Sequence, residues 1–170
     1  MTHSFWRNAI TGAALVAMAS VATATVAQEE TEAEAPQGPV WLATCSNQNN
    51  PDVLACSMSQ TLNVASSGQR LLAVTVQPDA EAPNVLLSLP HGLNFANGVG
   101  VRTDDGEEER FAFTTADATG TYARVPLTRD LLSAMRAANT LSLNVVGVGG
   151  REVNFEVSLS GFSKTYDLLR

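Results

Sequence analysis

The chain has 170 residues, a length typical of a single domain with its own hydrophobic core. It carries 10 basic and 17 acidic residues, which gives a formal net charge of −7. This acidic balance argues against binding to nucleic acid, whose phosphates require a basic surface. It also argues against simple electrostatic attraction to anionic lipid.

The first 27 residues have the composition of a secretory signal peptide. His3 and Arg7 provide a short positive start, and residues 9–21 are almost entirely small or apolar. Small residues then lead up to Ala27, where we expect cleavage. The apolar run is short for a membrane-spanning helix, which needs about 20 residues. We therefore predict a periplasmic or secreted protein with no transmembrane span in its mature chain.

Residues 28–39 differ sharply in composition from the rest of the mature chain. They contain four glutamates and two prolines but no large apolar side chain. Such a segment buries too little apolar area to offset the loss of chain entropy. We predict a disordered acidic leader that acts as a solvated spacer rather than binding a basic partner. Residues 40–170 then form a single β domain.

Cys45 and Cys56 are the only two cysteines. An even number of cysteines in an exported chain favours a disulfide. A disulfide between Cys45 and Cys56 would close a short loop in the unfolded chain, which stabilises the fold by roughly 3 kcal/mol. Redox sites usually have a closer Cys-x-x-Cys pair. A zinc site needs about four ligands, and His91 is the only histidine after the signal peptide.

Most of the remaining chain has the alternation of apolar and polar residues that is typical of β-strands. In residues 54–64, one face carries the even-numbered positions, namely Leu54, Cys56, Met58, Gln60, Leu62 and Val64. Further strand-like runs lie at 40–45, 70–77 and 85–89. The disulfide should therefore join two neighbouring strands near their shared turn.

Asp104, Asp105 and Gly106 are predicted to form the turn of a central hairpin. A two-residue loop at this point would place Val99 opposite Ala112 and would leave Phe111 on the other face. A three-residue loop with a bulge instead places Val99 opposite Phe111. It also places Gly106 at the left-handed third position, where the absence of a Cβ is an advantage.

The last hairpin is predicted to join the strand-like runs at 141–145 and 153–159, and it also requires an odd number of loop residues. A two-residue turn at Gly149 and Gly150 would place Leu143 opposite Glu156. Three or five loop residues, or a compensating bulge, place Val145 opposite Phe155 and Leu143 opposite Val157.

One short helix interrupts the strands. Thr128 is the expected N-cap, Asp130 suits the positive end of the helix, and Asn139 is expected to end it in a left-handed conformation. The apolar stripe at helical spacing is predicted to face the core and consists of Leu131, Leu132, Met135 and Ala138. About nine strands with one short α-helix indicate a mostly β fold, either an antiparallel β-sandwich or a flattened barrel. The segment through Leu169 is a further candidate for helix.

The sequence contains no pattern that indicates catalysis, a cofactor or a metal, and we predict none of the three. His91 lies in a Pro-His-Gly turn, and no Gly-x-Ser-x-Gly motif is present. The acids at 104–109 offer oxygens to Ca²⁺ but lack the spacing of an EF-hand loop. We interpret them as the solvated tip of a hairpin. Phe111 and Phe113 are predicted to pack in the core.

Several segments, taken in order, resemble the invasion-associated locus B family. The matching stretches are WLATC at 41–45, CSMSQ at 56–60, LPHGL at 89–93, GVGVRTDDG at 98–106, LLSAM at 131–135 and LSGF at 159–162, followed by Tyr166 and Leu169. Together they span nearly all of the predicted domain.

The resemblance implies a periplasmic or surface-associated bacterial protein without a described catalytic site, which in some pathogens assists entry into host cells. We therefore predict an exported accessory or binding protein whose partner is an unknown protein or envelope component. The alternative is a housekeeping factor for envelope stress or assembly. Many relatives carry a second cysteine pair that residues 114–122 lack, so this stretch is expected to be more mobile.

Overall fold

The computed structural model describes residues 40–47, 54–78, 82–104 and 106–169. Within these ranges it contains ten strands, two α-helices and a short 3₁₀ turn. The predicted signal peptide and acidic leader lie outside the described residues. The strands are β1 (Leu42–Ser46), β2 (Ala55–Asn63), β3 (Arg70–Gln77), β4 (Asn84–Leu89), β5 (Val99–Thr103), β6 (Glu109–Phe111), β7 (Phe113–Asp117), β8 (Gly120–Pro126), β9 (Thr140–Val146) and β10 (Glu152–Ser158).

The strands form two separate antiparallel sheets. The first sheet has six strands in the order β1-β2-β3-β4-β8-β7, and the second has four in the order β10-β9-β5-β6. Between β6 and β7 only Ala112 intervenes, so the chain passes there from one sheet to the other. The architecture is sandwich-like, which confirms one of the two predicted alternatives, and the sheets do not close into a barrel.

The core lies between the inward faces of the two sheets. On β2 the predicted face points inward at Met58, which is fully buried, and at Leu62, which packs against the core. Leu54, predicted on the same face just before β2, is exposed instead. Gln60 is also buried on this face, and its Nε2 donates a hydrogen bond to the Ser158 carbonyl at 3.1 Å. Trp41 Nε1 donates to the same carbonyl at 2.9 Å. These two bonds link the first sheet to the end of β10.

The two helices are α1 (Arg129–Ala137) and α2 (Phe162–Asp167). The Thr128 hydroxyl accepts a hydrogen bond from the Leu131 N–H at 3.1 Å, which confirms the predicted N-cap. The predicted end of α1 is wrong, because its C-cap is Ala138 in an extended conformation and Asn139 has no positive φ. The Asn139 N–H instead donates to the carboxylate of Asp104.

The hairpin of β5 and β6 has the predicted register, with Val99 opposite Phe111. Its loop differs from the prediction because pairing between these two strands stops at Val101 and Glu109, so the loop is wider than three residues. The left-handed residue is Asp104, with φ of 38°, and Gly106 does not have a positive φ. An aspartate tolerates this conformation better than most residues, and Asp104 gains hydrogen bonds there.

The hairpin of β9 and β10 has five residues between Val146 and Glu152, one of the predicted loop lengths. The predicted partners were wrong by two residues, since Leu143 lies opposite Phe155 and Val145 lies opposite Val153. Because side chains alternate between the two faces of a strand, a shift of two residues in the pairing leaves the same side chains facing inward. The loop is closed at its base by a hydrogen bond from the Gly147 N–H to the Arg151 carbonyl at 2.8 Å.

Candidate functional site

A groove of about 520 Å³ lies between the β5–β6 hairpin and helix α1. Its floor consists of buried or half-buried apolar side chains, namely Val101, Phe111, Leu131 and Ala134. A volume of this size falls within the usual range of ligand pockets, which are concave and mostly apolar with a few polar groups. We refer to this feature as the groove.

Three exposed carboxylates line the groove at its rim: Glu107 and Glu109 from the hairpin, and Asp130 from the first turn of α1. Arg102 is the one cation among the lining residues that the structure describes. The rim therefore carries a net negative charge above an apolar floor, an arrangement that complements a positively charged group attached to an apolar one.

The register of the hairpin explains why acids reach the groove. Val101 pairs with Glu109, and both lie on the same inward face as Val99 and Phe111. Glu107 lies just before β6 and also lines the groove. Sequence reasoning missed this site, although its own predicted register already placed Glu109 on the inward face, next to Phe111.

Asp104 connects the hairpin to the segment that follows α1. Its carboxylate accepts hydrogen bonds from the Thr140 N–H at 2.8 Å and from the Asn139 N–H at 3.0 Å. The backbone bond from Asn139, followed by that from Thr140, holds the pKa of the Asp104 carboxyl below its ordinary value. These bonds hold the tip of the hairpin against the end of the α1 segment, and so position both walls of the groove.

The remaining acids of the hairpin do not converge on a metal site. Glu108 forms an ion pair with Arg110 at 2.8 Å and lies over Gly100, on the face of the second sheet away from the groove. Asp105, one of the predicted turn residues, lies outside the described residues. Within the ranges described by the structure, no three His, Cys, Asp or Glu side chains are grouped closely enough to hold a metal ion.

Cys45 and Cys56 form a disulfide in the structure. They lie directly opposite each other in the antiparallel β1–β2 pair, as a link between two neighbouring strands requires. Leu42 and Leu54, near this link, are large exposed hydrophobic residues. The sequence indicated the pairing because the chain offers only one pair of cysteines.

Residues 114–122, which contain no cysteine, lie in the hairpin of β7 and β8. Its turn is held by Asp117, whose Oδ1 accepts hydrogen bonds from the Thr119 N–H and Oγ1, both at 2.7 Å. The side-chain bond from Thr119 is the main cause that lowers the pKa of Asp117. The greater mobility expected of this stretch stays a prediction.

Of the other residues considered from the sequence, His91 and Phe113 lie apart from the groove, whereas Phe111 lines it. His91 is exposed in the turn that follows β4. Phe113 is half-buried, and its ring packs against Phe95 with 5.2 Å between centroids. Phe111 packs partly against the core, as predicted, and also lines the groove. Neither α1 nor α2, the helices that the structure describes, is long and apolar enough to cross a membrane.

Comparison with known proteins agrees with the resemblance seen in the sequence. The family model described as "Invasion associated locus B (IalB) protein" matches residues 41–170. Invasion protein B homologs from two strains of Brucella abortus are each 28% identical to this chain over 133 residues. These alignments cover 76% of this chain and 75% of each relative.

A solved structure supports the same fold. The crystal structure of invasion associated protein B from Bartonella henselae superposes with a TM-score of 0.70 at 21% sequence identity. The match covers 77% of this chain and 90% of that chain. Because the family model spans the whole described domain from Trp41 onward, this chain belongs to the invasion-associated locus B family.

Proposed function

We propose that this protein is exported and acts as a non-catalytic binding or accessory protein of the bacterial envelope. In this proposal residues 1–27 are removed on export, residues 28–39 form a solvated leader, and the domain begins at residue 40. The observation that carries the proposal is the disulfide between Cys45 and Cys56. Such bonds form and persist in oxidising compartments and are rare in the cytosol.

The groove supports a binding role. It combines an apolar floor with a charged rim, whereas the described residues bring no histidine into it. The names of the relatives in Brucella and Bartonella refer to invasion. By analogy, we propose that the partner is a protein or an envelope component that takes part in contact with host cells.

Export and disulfide formation are tested together in the source bacterium. The full chain with a C-terminal tag is compared with a variant that lacks residues 1–27. We expect the full chain to appear outside the cytosol, to begin near Gln28 and to show no free thiol on alkylation, whereas the truncated control stays in the cytosol with two free thiols. An intact Met1 together with reduced cysteines in the native protein would overturn the proposal.

Deletion of the gene tests the binding role. Loss of host-cell adhesion with a normal envelope supports the proposed contact function. Sensitivity to detergent with unchanged adhesion would instead indicate the housekeeping envelope role. Complementation with the wild-type chain is the control for both outcomes.

A further inference from the structure

Strand β6 lines the groove through Glu109 and Phe111 and lies at one edge of the second sheet. β6 is the last strand of the second sheet, and no described strand pairs with its other side. It is only three residues long, Glu109–Phe111. An extended peptide can add to such an edge through main-chain hydrogen bonds, while its alternate side chains enter neighbouring pockets.

The side chains of β6 indicate which peptide would fit. Glu109 and Phe111 lie on the inward face, two residues apart, and both line the groove. In an added strand, the two side chains opposite them would also lie two residues apart on one face. A basic side chain would then meet Glu109, with Glu107 and Asp130 nearby. An apolar side chain would meet Phe111 and the floor formed with Leu131.

We propose that the groove binds an extended peptide segment of a partner protein in which a basic and an apolar side chain lie two residues apart. This inference rests on the proposed function only for the existence of a partner, and it specifies the chemistry of that partner. Charge complementarity favours this occupant, because three carboxylates and one guanidinium line the groove. Main-chain pairing along β6 favours a peptide over a small cation.

The probe is the labelled peptide TKTLTKT, in which lysine and leucine share one face of a strand. Its isomer TKLKTTT has the same composition and charge but places leucine on the opposite face. Binding to the full chain, purified after export and processing by the cell, is followed by fluorescence anisotropy. We expect saturable binding of TKTLTKT and a Kd at least about fivefold higher for the isomer.

Two variants locate the peptide. Glu107→Gln/Glu109→Gln removes two rim charges and should raise the Kd about tenfold. Its matched control, Glu152→Gln/Glu156→Gln, removes two exposed charges from β10 at the opposite edge of the same sheet and should change the Kd less than twofold. Ala134→Leu narrows the floor and should also weaken binding, while thermal melts verify that each variant is folded.

Four results would overturn the inference. Equal binding of the two isomers, or equal losses in the rim and β10 variants, would show non-specific charge attraction. Unchanged binding to Ala134→Leu would place the peptide outside the groove. Displacement of the peptide by spermidine at comparable concentration would show a site for small polyamines. None of these results affects the proposed export and disulfide, which fractionation and alkylation measure independently.

Discussion

At the scale of single residues, Asp104 has the clearest structural role. Its left-handed backbone, with φ of 38°, directs the carboxylate toward two backbone N–H groups that lie at the start of β9 and just before it. A charged acceptor makes stronger hydrogen bonds than a neutral one. Because these bonds favour the ionised form, the stability that they add is greatest while Asp104 is ionised and falls when the carboxyl is protonated.

Replacing Asp104→Asn keeps a residue that tolerates the left-handed conformation but removes the charge. We expect the melting temperature at pH 7 to fall by about 4 °C. The folded pKa is lowered, so the stabilisation is present above the ordinary value of 3.8 and is lost as pH falls through the lowered pKa. The gap between wild type and variant should therefore close in acid. Thermal melts at pH 7, 5 and 3 measure this gap.

Glu152→Gln is the control, since it removes an exposed charge in β10 at the opposite edge of the second sheet. It should leave the melting temperature nearly unchanged at each pH. A gap between wild type and Asp104→Asn that stays constant from pH 7 to pH 3 would contradict the role assigned to the ionised carboxylate.

At the scale of elements, the β1–β2 hairpin depends on its disulfide. β1 is the edge strand of the first sheet and pairs only with β2 among the described strands. Its burial is low, because three of its five residues are exposed. An edge strand with so little buried area gains stability when the cross-link limits the freedom of the unfolded chain.

The double variant Cys45→Ala/Cys56→Ala should lower the free energy of unfolding by about 3 kcal/mol, measured by urea denaturation. Reduction of the wild type should reproduce this loss. The matched control is Thr44→Ala/Ser57→Ala, which changes the neighbouring pair across the same two strands. It should cost less than about 1 kcal/mol. Equal melting curves for oxidised and reduced wild type would contradict the prediction.

At the scale of the whole molecule, an aromatic cluster joins the beginning of the domain to its end. Phe162 of α2 is fully buried and meets the ring of Trp41 edge to face, with 5.2 Å between centroids. The ring of Phe162 also stacks on that of Tyr166, with 5.9 Å between centroids. Arg136 of α1 covers Tyr166 and pairs with Asp167 at 2.6 Å, so both helices share in this packing.

Phe162→Ala should therefore destabilise the whole domain. We expect a loss of about 3–5 kcal/mol in the free energy of unfolding, because the change leaves a cavity at a buried aromatic site. Phe95→Ala is the matched control, since Phe95 is 50% exposed, and it should cost much less. Denaturation monitored separately by Trp41 fluorescence and by circular dichroism should give one common transition. A similar cost for both variants would contradict a central role for Phe162.

Local patterns were sufficient for much of this architecture. The alternation on β2 correctly predicted Met58 and Gln60 on the inward face, and the helical stripe correctly predicted Met135 in the core. The pairing of Val99 with Phe111 followed from the requirement that apolar side chains share one face. These predictions succeeded because side-chain period and burial act over a few neighbouring residues.

Predictions failed where a distant contact decides the local conformation. Asp104 takes the left-handed position expected of Gly106 because its carboxylate reaches Asn139, 35 residues later. The chain is extended at Ala138, the C-cap of α1, and Asn139 makes this contact instead of taking the left-handed conformation that was predicted for it. In the last hairpin, the odd number of loop residues correctly predicted which side chains face inward. Which residues pair across the two strands depends on where the loop closes, and the predicted pairs were wrong by two residues.

The sequence by itself therefore determined the mostly β fold, the inward faces, the helix start at Thr128 and the family of the chain. Only the tertiary structure decided where α1 lies against β5 and β6, and hence that an apolar groove with Glu107, Glu109 and Asp130 at its rim exists. The physical reason is that periodicity reports which side of an element is buried, whereas a groove depends on how far apart two elements lie. That distance follows from long-range contacts that no short stretch of sequence contains.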